Sequence, residues 1–192
     1  RILIVDWDLH HGNGTQHSFS EDPQVLYFSS HQSPYYPGSG SIDECGEGKG
    51  KGFTVNVPLP GGQGDQDFIE IYGKILKPIV SEYNPQLILV SSGYDIYYQD
   101  PLGAMNVTPE GFAALTSLMM DMAQSSCQGK LVITLEGGYH LNGLRDSVKA
   151  TLRELSGDSI LDSAKGEEKM LSSTEKIIEK VRGVQKNFWS SL

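Results

Sequence analysis

The chain has 192 residues, 38% of them apolar and 20% charged, with 24 acidic against 15 basic side chains and a formal charge of −9. That length fits one ordinary domain with a real core, and the apolar fraction, a little under the globular norm, stays clear of the disordered range. The acidic balance argues against direct nucleic-acid binding, which needs a basic footprint to displace counterions from phosphates. The two cysteines, Cys45 and Cys127, form neither a CxxC nor a secreted disulfide framework. No apolar run approaches the ~20 residues of a membrane span, and no basic-then-apolar start marks a signal peptide. A reducing, cytoplasmic compartment with no membrane partner is the expectation.

In chain order, Arg1–Val5 reads as a buried strand. It has no initiator methionine, so the chain is expected to begin inside a domain. Further β-rich runs follow at Val25–Ser29, Phe53–Pro58, Gln86–Ser91 and Lys130–Leu135. They are near-continuously apolar, as strands buried on both faces of a parallel sheet are. Between them, Asp65–Tyr83 repeats apolar residues at Phe68, Ile71, Tyr72, Ile75, Leu76, Ile79 and Val80, a helical period, with Pro78 expected to end or kink it late. Thr108-Pro109-Glu110 starts a helix running to about Ser126, with Thr as N-cap and Pro at the first helical position. Another helix spans roughly Leu141–Leu155. Strands alternating with helices predict an α/β fold with a mostly parallel sheet.

Residues Pro34–Gly52 form a long Gly-rich loop that fits neither a dinucleotide fingerprint nor a P-loop. It reads equally as a flexible surface loop or as the rim of an active site. Gly157–Lys169 is polar and reads as a linker. Ser172-Ser173-Thr174-Glu175 resembles a capping box, and Ile177, Val181, Val184 and Phe188 make an apolar stripe on a terminal helix.

In an open α/β sheet, ligands bind beyond the carboxyl ends of the strands. Polar residues gather there: Asp6-Trp7-Asp8-Leu9-His10-His11 after the first strand, Gly93-Tyr94-Asp95 after the fourth, and Glu136-Gly137-Gly138-Tyr139-His140 after the fifth. Asp8 and His10, two apart in an extended segment, point the same way and make a metal half-site that Asp95 could complete. Oxygen and nitrogen donors without thiolate suit Zn²⁺, or Fe²⁺ or Co²⁺, and three protein ligands leave an open position. The alternative reading is plainer: Asp6 or Asp8 bracing a turn, and His10 or His11 satisfied as structural histidines. Zn²⁺ with two carboxylates and one neutral imidazole is a neutral centre, so catalysis there needs a general base and an oxyanion donor. Tyr139, beside Gly137 and Gly138, is a candidate donor; its alternative is a packing aromatic in a plain turn. Asn106-Val107-Thr108 is formally a glycosylation sequon, but Thr108 is better explained as the helix cap.

Taken together, Asp6–Gln16, Asp95 with Asp100-Pro101-Leu102, and Glu136-Gly137-Gly138-Tyr139 resemble the histone deacetylase family in its class II form, a superfamily that includes acetylpolyamine amidohydrolases and acetoin-utilisation proteins. The resemblance runs from Arg1 to about Leu155. It implies a three-layer arginase/deacetylase-like fold lacking its N-terminal part. Residues 1–156 would be the C-terminal portion of the catalytic domain, and 157–192 a linker and an amphipathic helix docked on the body. It implies Asp8, His10 and Asp95 as zinc ligands and Tyr139 as the catalytic hydroxyl that polarises the acetamide carbonyl. His31, Tyr36, Leu102 and Gly138 match the substrate channel. A structural K⁺ would be held by Asp6, Asp8, His10, Ser29 and Ser30, and a second monovalent cation by Phe19, Asp22, Val25 and Phe53. Asn13 matches the orienting partner of a catalytic histidine.

The family's tandem histidine pair, its general base and acid, lies upstream of the matching stretch and is absent here; His10-His11 cannot replace it, because His10 is needed on the metal. The resemblance therefore implies a zinc-dependent amidohydrolase acting on acetyl-lysine or acetylated polyamines, with metal-activated water as nucleophile. The base would come from an N-terminal half in the same or another chain. A non-catalytic metal-binding scaffold is the alternative. A binuclear ureohydrolase fits less well, since it needs a carboxylate where Gly12 stands.

Overall fold

A computed structural model describes residues 1–161 and 169–192 of the chain; the predicted linker Gly157–Lys169 lies largely outside the described residues. The first strand, β1 (Ile2–Asp6), is followed by a short helix α1 (Asn13–Phe19), then β2 (Val25–Gln32) and β3 (Thr54–Leu59). Next come α2 (Asp65–Ile71), a π-turn at Tyr72–Leu76, α3 (Lys77–Tyr83) and β4 (Leu87–Ser92). The chain continues through α4 (Pro109–Cys127), β5 (Leu131–Leu135), α5 (Leu141–Leu155) and α6 (Ser172–Gln185).

The five strands form one parallel sheet in the order β3-β2-β1-β4-β5. The chain winds outward from β1 through β2 to β3, then returns to the other flank of β1 with β4. The reversal puts a switch point between β1 and β4, where the carboxyl ends of neighbouring strands diverge and a crevice opens. Asp6 of β1 stands in register with Ser29 of β2 and Ser91 of β4.

One face of the sheet carries the main core. Leu3, Val5, Leu26, Phe28, Val55, Val57, Ile88 and Val90 are buried there with the apolar sides of α2, α3, α4 and α6. The opposite face holds only a small cluster of Ile4, Val25 and Tyr27 with Ile2, Phe19 and Leu89 beside it. The near-continuous apolar strands are thus fully covered on one side and thinly on the other. At the β5 edge Val132 and Leu135 are half exposed.

Several elements depart from the sequence reading. Pro78 does not end its helix. The π-turn ahead of it lets the Lys77 N–H reach the Tyr72 carbonyl five residues back, so the helix absorbs a residue without a donor instead of breaking. β2 extends three residues past Ser29, because Ser30, His31 and Gln32 continue to pair with β3 although they are polar. The capping box at Ser172 does not form. Helix α6 starts one residue early, with Leu171 as N-cap, because Asp67 Oδ1 already holds the Leu171 N–H at 2.8 Å. The buried stripe of α6 is Thr174, Ile178, Val181 and Gln185, continued by Trp189. It is rotated from the one expected: Ile177 and Val184 are only half-buried and Phe188 is exposed. Helix α1 was not anticipated, since it buries no residue and so has no apolar period.

Candidate metal centre and its cleft

Three strand ends converge at the switch point. Trp7, fully buried, donates its indole N–H to Ser92 Oγ at 2.9 Å and ties the segment leaving β1 to the end of β4. The chain then turns back on its own carboxylates: Asp8 N–H donates to Asp6 Oδ1 and His10 N–H to Asp8 Oδ1. These turns aim Asp8 and His10 at Asp95. His10 Nδ1 lies 3.1 Å from Asp8 Oδ1 and 3.3 Å from Asp95 Oδ2, and one donor atom of each residue falls within 4.8 Å of the others. A tetrahedral ion with ligands at about 2.0 Å needs donors about 3.3 Å apart.

The carboxylates themselves favour a cation between them. Asp95 Oδ1 accepts the Leu9 N–H at 2.9 Å, but its buried Oδ2, with His10 Nδ1 3.3 Å away, has no hydrogen-bond partner among the described residues. Burial, and then the Asp8 charge beside it, push the Asp95 carboxyl well above the usual range. A cation bound by the triad would satisfy the orphaned oxygen and relieve that repulsion. The residues present fit a divalent metal.

Glycines make the room. A Cβ on Gly93 would fall 2.7 Å from Asp8 Cβ, and one on Gly137 would fall 2.7 Å from Asp8 Oδ2 and closer still to Asp95 Oδ2. Gly137 also donates its N–H to Asp8 Oδ2 at 2.9 Å. Sequence reading placed both glycines just past strand ends but could not see that the carboxylate residues fill the space where their side chains would be. The same holds for Gly12, whose Cβ would meet Asp6 Oδ2 and the Tyr27 hydroxyl; a second bridging carboxylate has no room at that position.

The triad opens into a cleft of about 350 Å³ lined by Asp6, Asp8, His10, Gly137 and Tyr139 among others. Tyr139 is half exposed at its edge. Burial, then the charges of Asp95, Asp8 and Asp100, push its phenol pKa up, so it remains a hydrogen-bond donor at neutral pH. Gly138, the turn residue before it, has φ +143°, which favours glycine. Tyr36 is exposed with its ring 6.3 Å from that of His10, and the ring of Tyr35, which sequence reading passed over, is 5.6 Å from it. Tyr35 OH donates to the carbonyl of half-exposed Leu102 at 2.5 Å.

The Gly-rich loop therefore begins beside His10, and it is fastened. Glu44 accepts the N–H groups of Gly40 and Ser41 and the Gln16 amide. Burial opposes the charge of Glu44, but these donors outweigh it and hold its carboxyl below the usual value.

The histidines separate by environment. His11 is buried, with Nδ1 on Ser39 Oγ and Nε2 on Gln16 Oε1, and burial lowers its pKa. His31, expected in the channel, is 1% exposed, with Nδ1 on Ser29 Oγ and Nε2 on the Gly40 carbonyl. It braces the loop from below rather than lining an open channel. Burial, then the neighbouring His11, lowers its pKa to about 3.

Asp6 is buried beside Ser29; it accepts from the Tyr27 hydroxyl at 2.9 Å, and burial pushes its carboxyl up to about 7. Ser30 turns to the other face, toward Tyr72 OH. The α1–β2 turn brings Phe19, Asp22 and Val25 together through hydrogen bonds of the Asp22 and Val25 N–H groups to the Phe19 and Asp22 carbonyls. The Phe53 carbonyl accepts the Tyr27 N–H nearby. Asn13 is exposed at the first residue of α1, and its side chain makes no hydrogen bond among the described residues.

A family model described as "Histone deacetylase domain" matches residues 1–155. The chain is 47% identical over 143 residues to a protein named "Probable deacetylase" from Archaeoglobus fulgidus, covering 74% of this chain and 40% of that one. It is 43% identical to "Histone deacetylase 14, chloroplastic" from Arabidopsis thaliana, covering 85% of this chain and 38% of that one. The solved HDA15 HD domain superposes with a TM-score of 0.88 at 38% identity, over 100% of this chain and 51% of that one. The chain spans about two fifths of the length of these curated relatives and half of the solved domain.

Proposed function

The chain belongs to the histone deacetylase family, and on that premise we propose that it supplies the metal-binding and tyrosine-bearing part of an amidohydrolase that removes acetyl groups from acetyl-lysine or acetylated polyamines. The observation that carries this is the Asp8–His10–Asp95 triad, with His10 Nδ1 3.1 and 3.3 Å from the two carboxylates and an unsatisfied Asp95 oxygen, whose Asp8 and His10 share one cleft with Tyr139. Asp8, His10 and Asp95 would hold Zn²⁺, with Fe²⁺ or Co²⁺ as alternatives; such an ion supplies Lewis acidity and lowers the pKa of water. Tyr139, kept neutral by its surroundings, donates its hydroxyl proton in a hydrogen bond to the amide oxygen as negative charge develops there. Tyr36 and Leu102 flank the acyl-lysine stem, and Gly138 lets the chain pass close to it. Asp6, with Asp8, His10, Ser29 and the Ser30 backbone carbonyl, would hold a K⁺, which would offset the burial of the Asp6 carboxyl; Phe19, Asp22, Val25 and Phe53 would hold a second, mainly through carbonyls. The free, buried thiols Cys45 and Cys127 suit a reducing compartment, the cytoplasm.

The general base is proposed to come from outside this stretch. His10 faces the metal position, and both ring nitrogens of His11 and of His31 are engaged. His140 caps α5 through Nδ1 and stacks on Tyr97, and His17 sits on α1. The place for the remaining half of the domain is marked by α5, which buries Ser147, Thr151 and Glu154 while leaving Leu141, Leu152 and Leu155 exposed. An exposed apolar stripe continuous with the open β5 edge marks an interaction surface, and the solved relative contains as much chain again.

Zinc content and deacetylation of a fluorogenic acetyl-lysine peptide, measured on this chain and on the full-length gene product with Tyr139→Phe controls, test the reading. Activity confined to the full-length product and lost with Tyr139→Phe is expected. Zinc without turnover in both would move the protein to a metal-binding scaffold, and full activity of this chain alone would overturn the split.

A further inference from the structure

Tyr139 is 52% exposed, so packing does not place its ring. Its backbone is placed by two carboxylates. Asp8 Oδ2 holds the Gly137 N–H. Asp100 Oδ2 accepts the Tyr139 N–H at 2.7 Å and the His140 N–H at 3.2 Å, while Asp100 Oδ1 accepts the Leu102 N–H at 2.9 Å. Asp100 is only 6% exposed, and its hydrogen bonds among the described residues come from backbone N–H groups. A buried carboxylate satisfied by backbone N–H groups makes strong, charge-assisted bonds. Here they lie at the N-terminal end of α5, where negative charge is favoured. The bonds join two loops that leave neighbouring strands: one carries Asp95 and Leu102, the other Gly137 and Tyr139. Because Leu102 also accepts from Tyr35, the same carboxylate reaches the rim.

We propose that Asp100 is a positioning residue of the reaction: by holding the Tyr139 and Leu102 backbones together, it keeps the Tyr139 hydroxyl in the cleft beside Asp8 and His10. This rests on the deacetylase reading. An isosteric amide keeps the volume but turns an N–H₂ toward one set of N–H donors, so the Tyr139 loop loses its clamp or the Leu102 loop does.

The test is a double-mutant cycle in the full-length gene product, with kcat and KM measured on an acetyl-lysine peptide alongside zinc content and Tm. Asp100→Asn is expected to lower kcat about 10- to 100-fold, part of what removal of an oxyanion donor costs, with KM within about threefold and zinc stoichiometry unchanged. In the Tyr139→Phe background, the same substitution is expected to change kcat less than about threefold, because the group it positions is gone. Equal losses in both backgrounds, or a wild-type kcat for Asp100→Asn, would overturn the assignment. If Asp100→Asn does not fold, Asp100→Ser, which keeps one acceptor, is read in the same cycle with the same criteria. Wild-type activity in Tyr139→Phe would overturn the deacetylase reading together with this one, whereas a Tyr139→Phe variant with a strongly reduced but measurable kcat and an additive cycle would overturn this one alone.

Discussion

Replacing Gly137 by alanine tests the metal centre through its backbone. The new Cβ would sit 2.7 Å from Asp8 Oδ2 and nearer to Asp95 Oδ2, where real Cβ contacts stay beyond 3.0 Å. Gly137 is not among the positive-φ glycines, so the cost is steric and falls on the two carboxylates. Asp8 must retreat by at least about 0.3 Å and Asp95 by more, whereas metal–ligand distances tolerate only about ±0.2 Å. The retreat also strains the Gly137 N–H bond to Asp8 Oδ2. Disturbing ligand placement of this kind lowers metal affinity by about 10- to 100-fold, roughly 1.4–2.7 kcal/mol. Competitive zinc titration against a chromophoric chelator measures it, with circular dichroism to confirm the fold. Gly14→Ala is the control, since a Cβ there meets nothing within 4 Å. A Gly137→Ala protein whose zinc Kd stays within threefold of the parent would refute the reasoning, as would an equal loss in Gly14→Ala.

Trp189→Ala should destabilise the protein by about 3–5 kcal/mol. The ring is buried against Phe53 and Tyr83 and its indole N–H holds the Gly52 carbonyl, so an unchanged urea midpoint would contradict the docking of the C-terminal segment. Glu44 has its folded-state pKa held down, so its charge stabilises the fold above the ordinary carboxylate range and that contribution is lost as pH falls through the folded pKa. Glu44→Gln should be less stable than the parent at pH 7 and converge with it in acid; denaturant melts from pH 7 to 3 that differ by a constant amount would rule this out. Leu152→Asp, on the exposed stripe of α5, should lower the Tm of the full-length protein while improving the solubility of this chain alone. No effect on the full-length Tm would mean that nothing covers that face.

Much of this protein is legible in its sequence because its signals are local. Apolar runs without alternation give the strands, the period of Asp65–Tyr83 gives a helix, Thr108-Pro109 gives a helix start, and polar residues after three strands mark one end of the sheet. Helix α1 escapes because a seven-residue helix that buries nothing carries no periodic signal. Pro78 and the Ser172 capping motif mislead because backbone partners outside the motif, the Tyr72 carbonyl and Asp67, decide those positions. The stripe of α6 is rotated because β3 and Gly52 select Gln185 and Trp189, which can bond the Thr54 and Gly52 carbonyls.

The residue types of the centre follow from sequence alone: two carboxylates, an imidazole and a tyrosine, each just past the end of a strand. Their assembly does not. Asp8 and Asp95 are far apart along the chain, and only the β1–β4 switch point brings their oxygens to the spacing of metal ligands. Only tertiary structure shows that Asp95 Oδ2 lacks a hydrogen-bond partner among the described residues, that Asp8 and Asp95 occupy the Cβ positions of Gly93 and Gly137, and that Asp100 joins two loops. It alone shows which surface of α5 is apolar and bare. The division has one physical cause: sequence records what each residue offers along its own segment, while donor spacing, desolvation and exclusion by neighbours exist only once distant segments share the same space.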